Sequence, residues 1–264
     1  MDSESHRQIE RVAAGGRVVA MDTLVGEAPI EFRLGGVPIA VLMRTPGDDA
    51  DLGFGFAITE GIVLDPSEIA AVRQRTSGAD GDRWDLELAE GVAVDPEQFR
   101  RSTYTTSSCG VCGKASIDAV RVAAPAPPAG PVVDRDVLLA LPQQMLAAQP
   151  GFAATGGIHA AALFTSDGTL LGVREDVGRH NAVDKLVGSA ARQRWPIGEV
   201  VLLVSGRVSF EMVQKAAVAG IPVVCGVSAA SSLAVELGEE LGLTVIGFLR
   251  DDGFNLYSGG GRIV

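Results

Sequence analysis

Two cysteines stand two residues apart in Ser107-Ser108-Cys109-Gly110-Val111-Cys112-Gly113-Lys114. That gap puts both sulfurs within reach of one metal ion, one disulfide or one shared substrate. Gly110 and Gly113 free the backbone for unusual dihedrals. Lys114 supplies a nearby cation that favours thiolate, the reactive form of cysteine. Several chemistries compete for the pair. A structural zinc site takes four ligands, and no second Cys-x-x-Cys exists to complete one; Cys225, His159 and His180 are scattered. A thioredoxin-type pair follows a strand, whereas the approach Ser102 to Ser108 is a Thr/Ser-rich run. A nucleophilic thiolate that carries a transferable group stays open, as does a chemically silent turn. Cys225 sits at the end of an apolar run, Pro222-Val223-Val224, and reads as a buried, inert thiol.

A second concentration of chemistry runs from Arg174 to Lys185, with seven ionisable side chains in twelve positions. It falls between a strand pattern and a helix pattern, where α/β folds place ligand sites. Arg179, His180 and Asn181 open the helix, where free amides favour anions, and Arg179 can grip phosphate with two parallel bonds. The competing reading is a solvated first turn with Asp184 and Lys185 as surface charges. Three further loops follow apolar strands: Ser205-Gly206-Arg207-Val208-Ser209, Gly226 to Ser232, and Gly247 to Asn255. Ser209 serves equally well as a helix cap, Phe248 and Phe254 as core, and His159 as a structural histidine; Lys215 reads as surface. Taken together, small residues with Arg207 and Arg250 at successive strand ends describe a crevice for a large anionic heteroaromatic ligand. Arg174, Arg179, Arg207 and Arg250 would make it locally basic.

Those residues need a scaffold. Residues 1–17 are polar and read as a disordered start. A β-rich N-terminal domain, 18–122, would carry the cysteine loop, with a Gly35-Gly36 hairpin and a helix over Asp51 to Glu60. Ala123 to Pro131 holds four prolines in nine residues and reads as a linker. The segment 132–264 alternates apolar strands and helices, so it reads as an α/β domain with parallel strands covered on both faces. Within it, Val137 to Gln149 reads as helix, with Pro142 at its start rather than its middle.

The chain has 264 residues, 47% of them hydrophobic, so it can bury a sizeable core. Its charge of −11 argues against a general nucleic-acid binder. Three cysteines cannot staple a fold, which suits a reducing cytoplasm. No apolar run approaches the ~20 residues of a membrane span.

In order along the chain, Cys109-Gly110-Val111-Cys112-Gly113, Thr155-Gly156-Gly157-Ile158-His159, Glu175 to Lys185, Ser205-Gly206-Arg207 and Phe254-Asn255-Leu256-Tyr257 resemble the FdhD family, sulfurtransferases required for formate dehydrogenase activity. The resemblance runs from Ile30 to the C-terminus, and its Asp-Val-Gly-Arg-His-Asn run is the most specific part. It implies that sulfane sulfur passes from a cysteine desulfurase to this chain as a persulfide. The sulfur then reaches the molybdenum bis(molybdopterin guanine dinucleotide) cofactor of formate dehydrogenase. It makes Cys109 the persulfide carrier and Cys112 its supporting partner, with no catalytic metal. The family's cofactor stretch falls on Phe248, Leu249, Arg250, Asp251, Asp252 and Gly253. Arg179, His180, Gly206 and Arg207 are the further candidates for holding pyrophosphate and guanine. The resemblance also implies an α+β chain with a cytidine-deaminase-like C-terminal domain, acting as a homodimer. Two departures stand out. No His-x-Glu precedes a Pro-Cys-x-x-Cys as in the zinc deaminases, and Asp251-Asp252 places acid beside Arg250. A zinc-dependent deaminase or hydrolase and a non-catalytic cofactor carrier are the alternatives.

Overall fold

The structure is a computed structural model that describes residues 2–78, 81–99 and 129–264. Cys109, Cys112, Lys114 and most of the proline-rich stretch lie outside the described residues. Two strands, β1 (Glu4–Ala13) and β2 (Gly16–Val25), form an antiparallel hairpin. This corrects the expected disordered start. Residues 4 to 13 pair in full register with 16 to 25 across the Ala14-Gly15 turn, and Gly16, at φ 122°, takes the backbone conformation that closes it.

A four-stranded sheet follows, built from β3 (Ala28–Leu34), β4 (Val37–Arg44), β5 (Ile69–Thr76) and β6 (Asp82–Leu88) in the order β4-β3-β6-β5. Strand β3 alternates strictly, burying Ala28, Ile30, Phe32 and Leu34, the pattern of a strand with one covered face. The cover is α1 (Asp49–Thr59), whose Leu52, Phe56 and Ile58 join that core.

The C-terminal region holds a six-stranded sheet, β12-β11-β10-β9-β7-β8. Its strands are β7 (His159–Phe164), β8 (Leu170–Asp176), β9 (Val201–Val204), β10 (Val223–Gly226), β11 (Thr244–Arg250) and β12 (Gly253–Ser258). Only β9, β10 and β11 are mutually parallel. Strands β7, β8 and β12 run antiparallel to their neighbours, so the expected parallel sheet is mixed. The reason is local: Ser166-Asp167-Gly168 and Asp251-Asp252 make tight turns, and a hairpin cannot be parallel. Helices cover both faces. On one side lie α4 (Arg179–Ala191), α5 (Phe210–Val218) and α6 (Ser232–Leu241), packed on Ala161, Leu163, Leu202 and Val204. On the other lies α2 (Arg135–Ala147), packed on Ala160, Ala162, Phe164 and Leu203. Pro142 falls inside α2, whose start is capped by Asp134 eight positions earlier. The short α3 (Pro150–Thr155) follows. Among the described residues, no helix is long and apolar enough to cross a membrane.

Helices α1 and α4 join the two regions, and they touch backbone to backbone. A Cβ on Gly55 would run into the Asp184 carbonyl, and one on Gly188 into the Asp51 carbonyl. Two glycines therefore set how closely the helices cross. Ala191 and Val218 from the C-terminal region bury themselves in the core of the four-stranded sheet.

Candidate functional site

The loops after β8, β9, β10 and β11 are seated side by side. Val208 N donates to Ala229 O at 3.0 Å, Ser231 N to Val208 O at 3.0 Å, and Phe248 N to Ser228 O at 2.9 Å. Close approach demands small residues here. A Cβ on Gly226 would meet Val208 Cγ2 at 2.7 Å, and one on Gly247 would meet Tyr257 Cε2 at 3.0 Å and the Ser228 and Ala230 backbone at 3.1 Å. The crevice inferred from composition thus has a physical edge at the carboxyl ends of β9, β10 and β11, the usual location of ligands in such sheets.

Arg179 and His159 converge on Gly206. A Cβ there would lie 3.5 Å from Arg179 Cδ and 3.6 Å from His159 Cε1 and Nδ1. Ser205 Oγ accepts from Ala160 N at 2.9 Å and lies 3.3 Å from His159 Nδ1. Burial, reinforced by neighbouring Arg179 and His180, pulls the His159 imidazole below its ordinary pKa. His180 Nε2 faces Glu211 Oε2 at 3.8 Å, an ion-pair separation. His180 is the main cause that holds the Glu211 carboxyl at about 2, helped by the backbone amide of Glu211 and by Ser209. The site is a positive to neutral surface at the start of α4, with one carboxylate tied down behind it. A helix start and an arginine side chain both favour negative charge beside them.

A buried carboxylate holds this corner in place. Asp176 Oδ1 accepts from Gly178 N at 2.8 Å and from Asn181 Nδ2 at 2.9 Å. Its Oδ2 accepts from Thr45 N at 3.1 Å and pairs with Lys185 Nζ at 2.8 Å. Burial pushes the Asp176 carboxyl up, and Lys185 and the other donors act against it. Asn181 also donates to Met43 O at 2.8 Å, and Lys185 to Thr45 O at 2.8 Å. The loop that presents Arg179 and His180 is therefore bolted to the connection between β4 and α1. Asn181→Ala removes two buried bonds and is expected to cost about 1–3 kcal/mol, read as a lower midpoint in urea unfolding. An unchanged midpoint would remove the clamp from the account.

The titration of Glu211 has a defined sign. Its folded pKa is depressed, so its contribution to stability is complete above the unfolded value of 4.5 and is lost as pH falls through about 2. The stability gap between wild type and Glu211→Gln should therefore narrow over that window. A gap that is constant with pH would contradict the pairing.

The other residues expected at the site divide. Phe248 is at the crevice edge with φ 53° and is 38% exposed. Arg207, Arg250, Asp251 and Asp252 are exposed, the last three at the β11–β12 turn, and Gly253 is half-buried. Leu249 is a correction. It is buried among Leu138, Leu141 and Ile246, on the α2 face of the sheet, because the irregularity of β11 at Phe248 (φ 53°) breaks the strand's alternation and brings Leu249 to the same face as Ile246. Arg174 is also withdrawn from the basic patch: it bonds Asp51 Oδ2 at 3.2 Å and Ser189 Oγ at 2.8 Å, and it pairs with Asp48.

Asp184, Lys185 and Lys215 are buried, not solvated. Cys225 is fully buried, and burial pushes its thiol up and keeps it protonated. The roles of Asp176 and Glu211 were missed. For Glu211 the available signal was an acid at a helix start between Phe210 and Met212; Asp176 stood in a dense charged run that hid its burial.

Comparison with known proteins follows from this geometry. The FdhD/NarQ family matches residues 25–264. The chain belongs to that family. It is 49% identical, over the full length of both chains, to the sulfur carrier protein FdhD of Mycolicibacterium paratuberculosis. It is 50% identical to the protein of the same name from Streptomyces coelicolor, covering 97% of this chain and 94% of that one. In fold it is similar to a candidate formate dehydrogenase accessory protein from Desulfotalea psychrophila, with a TM-score of 0.78, 22% identity and 99% of both chains covered. This FdhD/NarQ chain thus shares the family's α+β fold from end to end.

Proposed function

We propose that the chain is a sulfur carrier serving formate dehydrogenase, with Cys109 as the sulfur-bearing residue. The observation that carries this reading is identity near one half, along the whole chain, to relatives named sulfur carrier protein, in a sequence that contains a Cys-x-x-Cys followed by lysine. The donor is a cysteine desulfurase, and the acceptor is the molybdenum bis(molybdopterin guanine dinucleotide) cofactor, a substrate here and not a resident group. The crevice supports such an acceptor: Arg179, the start of α4 and glycine-lined strand ends suit phosphates. Arg207 and Arg250 at its rim add positive charge within an acidic chain.

Acceptance is an exchange between thiolates. The Cys109 thiolate attacks the outer sulfur of the donor's persulfide, the S–S bond to the donor breaks, and the donor cysteine leaves as thiolate. No electrons are consumed. Delivery as sulfide needs two electrons. Cys112 supplies them if its thiolate attacks the inner sulfur of the Cys109 persulfide, which expels hydrosulfide and closes a Cys109–Cys112 disulfide. A dithiol reductant then restores the pair. The C-terminal sheet with its covering helices reads as a relative of the cytidine deaminases, adapted to hold a dinucleotide. A homodimer in the cytoplasm completes the proposal.

Intact-protein mass spectrometry after incubation with desulfurase and cysteine tests it. One added sulfur that is released by dithiothreitol and maps to Cys109 is expected. A chain that binds the dinucleotide cofactor but never gains sulfur would be a passive carrier. Stoichiometric zinc that is lost with the cysteine pair would favour the hydrolase alternative.

A further inference from the structure

Helix α1 packs on one face of the four-stranded sheet, against Phe32 and Val72. Side chains alternate along a strand, so Glu31 and Arg33 belong to the other face. Register adds their neighbours there. Val41 stands opposite Glu31 on the edge strand β4, Met43 opposite Pro29, Arg83 opposite Glu31, and Asp85 between Arg33 and Arg73.

The charges on this face pair among themselves. Arg73 meets Glu87 at 3.0 Å, Arg75 meets Asp85 at 2.8 Å and Glu87 at 2.7 Å, and Arg83 stands 3.7 Å from Glu31. With Arg33, which shares Glu31, four guanidinium groups meet three carboxylates. The two signs lie at different depths. The side chains of Arg73, Arg75 and Arg83 are 62%, 51% and 52% exposed, whereas Glu31, Asp85 and Glu87 are 26%, 21% and 32% exposed. The acids are spent at the roots of the arginines, and solvent meets guanidinium. Arg73 bonds Glu87 through Nε alone, and Arg83 makes no hydrogen bond among the described residues. A guanidinium has five donors, so both can still grip a carboxylate with two parallel bonds.

Val41 and Met43 are half exposed beside this arginine layer. Apolar side chains next to arginine are a composition that protein interfaces favour. The rest of the chain supplies the contrast. At a net charge of −11, most of the surface repels an acidic partner, and this face attracts one. Its position suits one client above others. Phe99 packs against the core of this same sheet, and Cys109 follows it by ten residues, a length that spans at most ~35 Å.

We infer that the open face of the four-stranded sheet is where the sulfur donor docks, through an acidic protein surface that meets Arg73, Arg75 and Arg83 and an apolar contact that covers Val41 and Met43. The inference rests on the sulfur-carrier reading and adds to it a surface and the sign of its partner.

The full chain is compared with the triple variant Arg73→Gln, Arg75→Gln and Arg83→Gln. Exposed ion pairs contribute little to stability, so its thermal midpoint should stay close to that of wild type. Its affinity for a cysteine desulfurase, measured by calorimetry, should fall about tenfold, and wild-type affinity should decline as ionic strength rises past ~0.1 M. Val41→Ser, which removes no charge, should weaken the same complex several-fold. Sulfur uptake from a small-molecule persulfide, which needs no docking, should keep its wild-type rate in both variants. Desulfurase binding that both variants leave unchanged would overturn the surface. So would a fall from dimer to monomer in light scattering, since the face would then join two copies of the chain. Failure of wild-type Cys109 to take sulfur from either donor would instead strike the sulfur-carrier reading beneath it.

Discussion

Cys109→Ala is expected to abolish delivery of sulfur to the acceptor while folding and cofactor binding persist. The loss should be roughly a thousandfold or more, the scale seen when a covalent nucleophile is removed. No neighbouring thiol can stand in for it in the same way. Cys225 is buried at 0% exposure in the core beneath α2, and burial keeps its thiol protonated. Cys112→Ala should behave differently: it should still gain sulfur but discharge it slowly, so persulfide accumulates. The charge of Lys114 enters through the thiolate fraction. Lys114→Gln should therefore slow acceptance near neutral pH and recover as pH rises above the ordinary thiol pKa of ~8.5. Full transfer activity in Cys109→Ala, measured with labelled cysteine and desulfurase, would sink the proposed chemistry.

The second large effect concerns stability. Lys215 Nζ lies 2.8 and 2.9 Å from the two Asp184 oxygens, 2.9 Å from Thr59 Oγ1 and 3.1 Å from Glu60 Oε1. Thr59 Oγ1 in turn donates to Asp184 at 2.7 Å. Burial works against the charge on Lys215, but Asp184 and Glu60 outweigh it and its pKa is raised. Lys215→Met leaves Asp184 buried without its cation and close to a second carboxylate. Breaking one side of such a pair costs about 3–5 kcal/mol. For a chain of this size that lowers the midpoint by on the order of 10 °C. Replacing both partners, Asp184→Leu with Lys215→Met, should recover part of the loss, because the fully buried carboxylate goes with its cation and Glu60, at 14% side-chain exposure, keeps contact with water. A thermal melt of Lys215→Met that matches wild type would show that the ion pair does not hold α1, α4 and α5 together.

Much of this architecture could be read from residue patterns. The alternation from Ala28 to Leu34, the apolar runs at Val200 to Val204 and Ile221 to Val224, and the glycine stops at Gly220 and Gly242 mark the elements, with the strands observed at Val201–Val204 and Val223–Gly226. Local chemistry fixes such features. Sheet direction escaped because it depends on which strand lies beside which, and β7 inserts next to β9 with reversed polarity. The hairpin of residues 4 to 25 escaped because its side chains are mostly exposed and carry little hydrophobic signal.

Site residues divide along the same line. Arg179 and His180 were visible as a dense motif at a helix start. Leu249 was misassigned because a contiguous motif does not show which side chains turn into the core at the β11 irregularity, and Lys215 because a lone lysine in a helix is usually solvated. Its partners lie 31 and 155 residues away in sequence, a proximity only the fold creates.

The contact of Gly55 with Asp184 and of Gly188 with Asp51 has a mechanical consequence. With no side chains between them, α1 and α4 have nothing to slide on, and the Asp184–Lys215 and Asp176–Lys185 pairs straddle or flank the same seam. The two sheets therefore form one stiff body rather than a pair of jaws. Separating them would take Thr45, Thr59 and Glu60 away from two buried ion pairs of the C-terminal region, so that region expressed alone should fail to hold its shape. Travel of sulfur between donor and acceptor cannot be powered by opening and closing of the halves.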